Sequence, residues 1–227
     1  GIEPGIELAH QVFVALGLEA AAAMARRVGF GDRADRWTRE ASRLRHAVLH
    51  DPVFALVDAR GLIKRRGLDG AVQERIVPRA DAGLPAGVPL AEPIAHPLNP
   101  DSAAALAIAF DFLPASSAVA RRTLDELETL WNQGWSIGGY GRYHRDSEPD
   151  AAGPWPFATV YIARACLDAG LHDRAWRAVQ WLRTIPGSAS GAWFELHGPR
   201  VSPPYAQIGI IPWAWAEVVE LVVRHVL

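Results

Sequence analysis

The chain has 227 residues, half of them hydrophobic, and a formal net charge of −2, which suits one sizeable core or part of a larger one and excludes both a disordered chain and an electrostatically driven nucleic-acid binder. No uninterrupted apolar run reaches the length of a membrane span, and no charged segment followed by an apolar stretch opens the chain as in a secretory signal, so no membrane partner is expected. A single cysteine, Cys166, excludes an intrachain disulfide and fits a reducing, cytoplasmic setting.

Apolar residues recur at helical spacing through most of the chain. Leu8, Val12, Leu16 and Ala23 mark a first helix ending near Gly29. A second runs from Asp32 to about His50, with Trp37, Leu44 and Val48 on one face. Residues 51–100 are rich in proline and glycine and read as a long structured loop with a short extended piece at Val53–Val57. The basic run Lys64-Arg65-Arg66 within it is read as solvated loop. Asp101 starts a helix through Phe112 that Pro114 stops, and Ser116 or Ser117 caps another reaching Trp131. After a loop at 132–154, helices are expected at Pro156–Ala169 and Asp173–Thr184, and a last one opens near Pro212.

An internal echo pairs these helices. Gly29-Phe30-Gly31-Asp32-Arg33-Ala34 matches Gly170-Leu171-His172-Asp173-Arg174-Ala175 as Gly-x-x-Asp-Arg-Ala, with Trp37 and Trp176 following. Glycine ends one helix in a left-handed conformation, aspartate is expected to cap the next, and so short a turn packs the two antiparallel. The fold class is therefore all-α: about seven helices in hairpins, with unequal loops at 51–100, 132–154 and 185–209 rich in aromatic and charged residues. Solenoid repeats keep a constant period and short loops; long rim loops favour an incomplete toroid whose loops build a site.

Three stretches carry chemistry. Gly138-Gly139-Tyr140-Gly141-Arg142-Tyr143, Asp146 and Gly153-Pro154-Trp155 put a guanidinium beside aromatic faces, a combination suited to a neutral polyol. The glycines match neither nucleotide-binding pattern. Gly191-Ala192-Trp193-Phe194-Glu195 places a carboxylate directly after two aromatic residues, and Pro212-Trp213-Ala214-Trp215 opens the last helix. His46 and His50 stand at a zinc-compatible spacing, but no third ligand is suggested and no metal or other cofactor is expected. No Gly-x-Ser-x-Gly elbow supports serine hydrolase chemistry.

In that order, Gly-Arg-Tyr, Asp, Pro-Trp-x-x-Ala-Thr, a helical hairpin, aromatic-x-Glu and a tryptophan heading the closing helix, the set resembles glucoamylase-like glycoside hydrolases, whose helical hairpins ring a central pocket. The resemblance is good over residues 100–227 and is a helix pattern only over 1–50, so all of 1–227 reads as one α-hairpin domain like the C-terminal half of such an enzyme. It implies that Arg142 and Trp155 line the innermost sugar subsite, with Tyr143, Trp193 and Trp213 also holding substrate. Glu195 is then the base that activates water. Gly153 stands where the family has asparagine before Pro-Trp, and Leu196 where its base is followed by glutamine.

Inversion needs a second carboxyl group. The family's acid position falls at the start of this chain, where Glu3 and Glu7 precede the first helix; Glu3 is the candidate acid, with Asp146 and Glu148 as others. The resulting expectation is an inverting hydrolase of short α-linked glucosides or trehalose. A non-catalytic helical-hairpin module that binds carbohydrate or a protein partner is the alternative, expected if Glu195 pairs with an arginine such as Arg200. A polysaccharide lyase using His144 beside Arg142 is a third reading. An incomplete ring exposes an apolar flank, so a homodimer or a separate N-terminal half is an expected partner.

Overall fold

The structure is a computed structural model and describes residues 4–77, 95–134, 138–147, 153–185, 187–197 and 211–227. Helices α1 (Leu8–Arg27) and α2 (Gly31–His50) pack as a hairpin. Gly29, at φ +83°, turns the chain so that the Phe30 N–H donates to Ala25 O at 2.8 Å and the Gly29 N–H to Arg26 O at 3.3 Å. The same paired hydrogen bonds recur at Gly170, where Leu171 reaches Cys166 O at 2.7 Å. Both are Schellman closures, available to glycine without steric cost. The expected aspartate caps do not form. Phe30 and Leu171 occupy the cap positions, while Asp32 and Asp173 lie inside the first turn, where the helix dipole favours an acid.

By length and composition α1 could cross a membrane, although His10, Gln11 and Glu19 interrupt its apolar run. Here its Leu8, Val12, Ala15, Ala22 and Ala25 stripe is buried, packed against α2 and the following elements.

Residues 51–77 and 95–97 hold short antiparallel ladders. Strand β1 (Gly5–Glu7) pairs β4 (Arg65–Gly67), β2 (Val57–Asp58) pairs β3 (Gly61–Leu62), and β5 (Arg75–Ile76) pairs β6 (His96–Pro97). The extended piece expected at Val53–Val57 opens as a turn, because Asp51 Oδ1 accepts from the Val53 and Phe54 N–H groups at 2.9 and 2.8 Å, and only its last residue, Val57, enters a strand. Nor is the basic run solvated. Arg65 is 3% exposed and 3.0 Å from Glu7, Arg66 donates to Gly70 O at 2.8 Å, and Lys64 lies 2.6 Å from Asp101.

The helix expected over 101–112 is a 3-10 turn (Ser102–Ala105) followed by α3 (Leu106–Ala109), with Asp101 capping through the Ala103 N–H at 2.8 Å. Ser117 caps α4 (Ala118–Leu127). Helices α5 (Pro156–Asp168), α6 (His172–Thr184) and α7 (Pro212–His225) complete the chain, α5 and α7 opening on proline. Nearly every residue of α5 from Pro156 to Cys166 is buried, and burial pushes the Cys166 thiol up to about 12. Helix α1 packs on α3, α3 on α5, and α5 on α7; α2 backs α1, α6 backs α5, and α4 lies against β3 and α5. This inner row with an outer row behind it is an arc of helical hairpins, an all-α toroid architecture. One apolar cluster runs through it from Leu8 to Leu221.

Candidate active site

The four helices of the inner row all begin at one end of the arc, and a cavity of about 520 Å³ opens there. Its wall takes Glu7 and His10 from the start of α1, Asp101, Ser102 and Leu106 from the approach to α3, Trp155, Phe157 and Tyr161 from the start of α5, and Trp213 from the start of α7. Lys64, Arg142, Tyr143 and Glu195 come from the intervening loops. Positive helix ends therefore face the cavity from several sides, which favours electronegative groups within it.

Arg142 lines the cavity from the loop before α5. Its guanidinium carbon lies 4.7 Å from the Tyr143 ring centroid and 4.9 Å from that of Trp155. Backbone hydrogen bonds fix this segment: Ser102 N–H to Arg142 O and Trp155 N–H to Tyr140 O, both at 2.9 Å, with a bridge between Gly141 and Pro154. Beneath it the Tyr140 hydroxyl donates to Glu128 at 2.9 Å, and Arg177 joins Glu128 while lying 3.7 Å from the Trp131 ring centroid. Gly139 sits so close to the Trp181 indole that a Cβ would come within 2.7 Å of it, and its φ is +73°. The Gly-Gly pair is thus a packing requirement of this turn.

On the far side, Lys64 Nζ is 2.6 Å from Asp101 and 4.6 Å from the Tyr143 centroid. The Ser102 and Tyr161 hydroxyls, both buried, are 2.5 Å apart, and burial pushes the Tyr161 phenol well above its usual range.

Glu195 reaches the cavity from loop 187–197, which is pinned at several points. The Trp193 indole N–H donates to Leu182 O at 3.2 Å, and the Trp215 indole N–H donates to Gly191 O. The His197 N–H donates to Pro154 O at 2.9 Å, and its ring packs against Trp181 and Phe194. Burial lowers the pKa of the His197 imidazole and favours its neutral form. Glu195 itself is half-buried and has no ion-pair or hydrogen-bond partner among the described residues.

The residues singled out in sequence fall into three groups. Arg142, Tyr143, Trp155, Trp213 and Glu195 line one cavity. Trp193 is not among the lining residues; its indole N–H donates to Leu182 O and anchors the loop that presents Glu195. Glu3, Glu148 and Arg200 lie outside the described residues. Asp146 is exposed, near His144 and Arg145 at 3.7 Å and away from this cavity, and His144 lines a different one from Arg142. His46 and His50 stack on α2 with ring centroids 5.0 Å apart, and the described residues hold no cluster of three metal-ligating side chains.

Lys64, Asp101, Ser102 and Tyr161 were missed. Only Asp101 carried a local signal, as the start of a helix.

No protein-family model and no curated protein matches the chain. Among solved structures, it is similar to a crystal structure of a bacterial glucoamylase complexed with acarbose, with a TM-score of 0.68 and 17% sequence identity. The likeness covers 95% of this chain but 32% of that one, so the chain spans about a third of the length of the glucoamylase it matches. The fold is glucoamylase-like.

Proposed function

We propose that the chain carries the sugar-binding wall and the water-activating base of a glycoside hydrolase acting with inversion on short α-linked glucosides or trehalose. The observation that carries this reading is a guanidinium lying against two aromatic rings in the same cavity as a carboxylate that has no partner among the described residues. Rings of that kind stack on the apolar face of a pyranose while the guanidinium donates to hydroxyl oxygens. In an inverting hydrolysis, Glu195 accepts a proton from the water that bonds to the anomeric carbon. The bond from that carbon to the bridging oxygen breaks, and a second carboxyl group protonates the departing oxygen from the opposite face, about 6.5–9.5 Å away. Glu3 is the candidate for this acid. Glu7 also lines the cavity, in an ion pair with Arg65. The glucoamylase-like fold, and acarbose as the molecule held by the similar glucoamylase, support an α-glucoside as substrate.

A specific observation favours the second reading, a saccharide-binding module without catalysis. The other two cavity carboxylates, Glu7 and Asp101, are both engaged by cations, so the described residues offer no free acid opposite Glu195. Proton NMR of a panel of α-glucosides and trehalose separates the two. Release of the β-anomer, abolished in Glu195→Gln, is the outcome expected of the hydrolase. Binding of acarbose or maltose with no release by wild type would leave the module.

A further inference from the structure

Helix α2 lies in the outer row behind α1, and its end carries two histidines that the cavity does not use. His46 and His50 are both exposed and stand four apart, so a single turn sets them one above the other on the solvent face. Their ring centroids are 5.0 Å apart and the ring planes are tilted by 50°. We propose that this pair chelates one divalent transition ion of the kind imidazole favours, copper(II), nickel(II) or zinc(II), with water completing the coordination. The proposal is independent of the sugar-binding reading of the cavity.

The spacing of the rings carries it. A ring nitrogen about 2.0–2.1 Å from a zinc ion puts the ring centroid about 3.2 Å from that ion. Two rings sharing the ion at a right angle then have centroids about 4.5 Å apart, and at the tetrahedral angle about 5.2 Å. The observed 5.0 Å lies between these limits. Rotation about side-chain bonds is enough to turn a nitrogen of each ring toward one point, with the helix backbone unchanged.

The surroundings favour a cation. Neither ring is engaged in a hydrogen bond or ion pair with another described residue. The pair sits at the C-terminal end of a helix of 20 residues, where free carbonyls make the potential negative. Asp51, which follows the last turn, interacts electrostatically with His46. Arg43 and Arg45, the arginines nearest the pair in sequence, are compensated by Glu40 at 3.2 Å and Glu19 at 2.6 Å.

The ligands select the ion. Magnesium and calcium take oxygen donors in numbers that two imidazoles do not supply, whereas nitrogen ligands follow the order that puts copper(II) above nickel(II) and zinc(II). The described residues hold no group of three metal-ligating side chains, so the site has two protein ligands and open positions. The chelate exists only while the last turn of α2 is helical, so the ion stabilises the folded chain. It does so where α2 hands over to the loop before β2, a junction the Leu56 N–H closes on Val48 O at 2.8 Å.

The test is calorimetric titration of the untagged chain with copper(II) and zinc(II), with magnesium as control, and electron paramagnetic resonance of the copper form. One tight ion per chain is expected, copper(II) binding more tightly than zinc(II), with hyperfine splitting from two imidazole nitrogens. His46→Gln and His50→Gln are each expected to weaken binding by about tenfold or more and to leave splitting from one nitrogen. Glutamine is a good helix former and both positions are exposed, so circular dichroism should be unchanged. With zinc(II) at about ten times its Kd, Tm is expected to rise by about 3–6 °C in wild type and not in the double variant. Single variants that bind as tightly as wild type overturn the chelate. Full-strength binding by the double variant places the ion on other histidines and overturns the assignment, as does a wild type that takes up no copper(II) at millimolar concentration. None of these outcomes depends on Glu195 or Arg142.

Discussion

Helix α7 brings Trp213 to the cavity, and what holds α7 in place is open to a sharp test. Arg164 on α5 has no exposed side-chain surface, yet it is charged. Its guanidinium meets Glu217 of α7, donates to Ala109 O at 3.1 Å, and lies 5.1 Å from the Phe110 ring centroid. Replacing it by methionine keeps much of the apolar volume and leaves the buried Glu217 carboxylate without its partner. Breaking a buried pair from one side costs about 3–5 kcal/mol, which for a domain of this size lowers Tm by roughly 6–20 °C.

The double variant Arg164→Met with Glu217→Leu removes both charges and is expected to recover most of that loss, because apolar replacements of buried pairs are often neutral or better. Ala109 O keeps a donor in that variant, since Arg224 reaches it at 3.4 Å. Urea unfolding followed by tryptophan fluorescence and by circular dichroism measures all four members of the cycle. A single variant within about 1 kcal/mol of wild type, or a double variant as unstable as the singles, would refute the view that a desolvated ion pair clamps α7.

Three further outcomes follow from the same geometry. Trp193→Phe keeps the ring but deletes the hydrogen bond to Leu182 O; if Glu195 is the base, kcat should fall by about three- to tenfold with KM nearly unchanged in steady-state assays. Burial lowers the pKa of His197 below its ordinary value of 6.5, so the unfolded chain takes up a proton first. The stability that neutral His197 allows is complete above about pH 7 and is lost as pH falls through 6.5 toward its folded value; Tm measured from pH 7.5 to 5 should drop less in His197→Gln. Val219 and Val223 are exposed on α7, as are Phe13 and Met24 on α1, at the two ends of the inner row; light scattering should detect self-association that Val219→Glu with Val223→Glu reduces.

What could be read in the sequence was local. Glycine at 29 and 170 ends helices through a conformation that few other residues adopt, so the hairpin echo needed no tertiary information. Ser117 and Pro156 mark helix starts by equally local rules. Strands of two or three residues have too little length to show a period, and apart from Val57 of β2 none of β1 to β6 is legible in the sequence. The basic run at 64–66 was misread because burial of Arg65 depends on Glu7, which is 58 positions away. Trp155 and Trp193 stand in similar aromatic surroundings along the chain. One lines the cavity and the other faces α6, a difference set by which side of a loop packs inward.

The charges around the cavity bear on what it holds. Lys64 is matched by Asp101, and Glu7 by Arg65. Among the described lysines, arginines, aspartates and glutamates of the wall, that leaves Arg142 and Glu195, neither of which has an ion pair with another described residue. A strongly anionic ligand would need an excess of cations here and a cation an excess of carboxylates; pairing removes both. A neutral polyhydroxyl ligand needs instead donors and acceptors at fixed places and apolar faces between them, and these are what the backbone stitching of 101–102, 140–143 and 154–155 holds rigid. The paired charges then have a positioning role: Lys64, between Asp101 and the Tyr143 ring, ties the α3 approach to the aromatic clamp. Lys64→Met should therefore weaken saccharide binding through displacement of Tyr143, although the net charge it removes faces no anion in a neutral sugar.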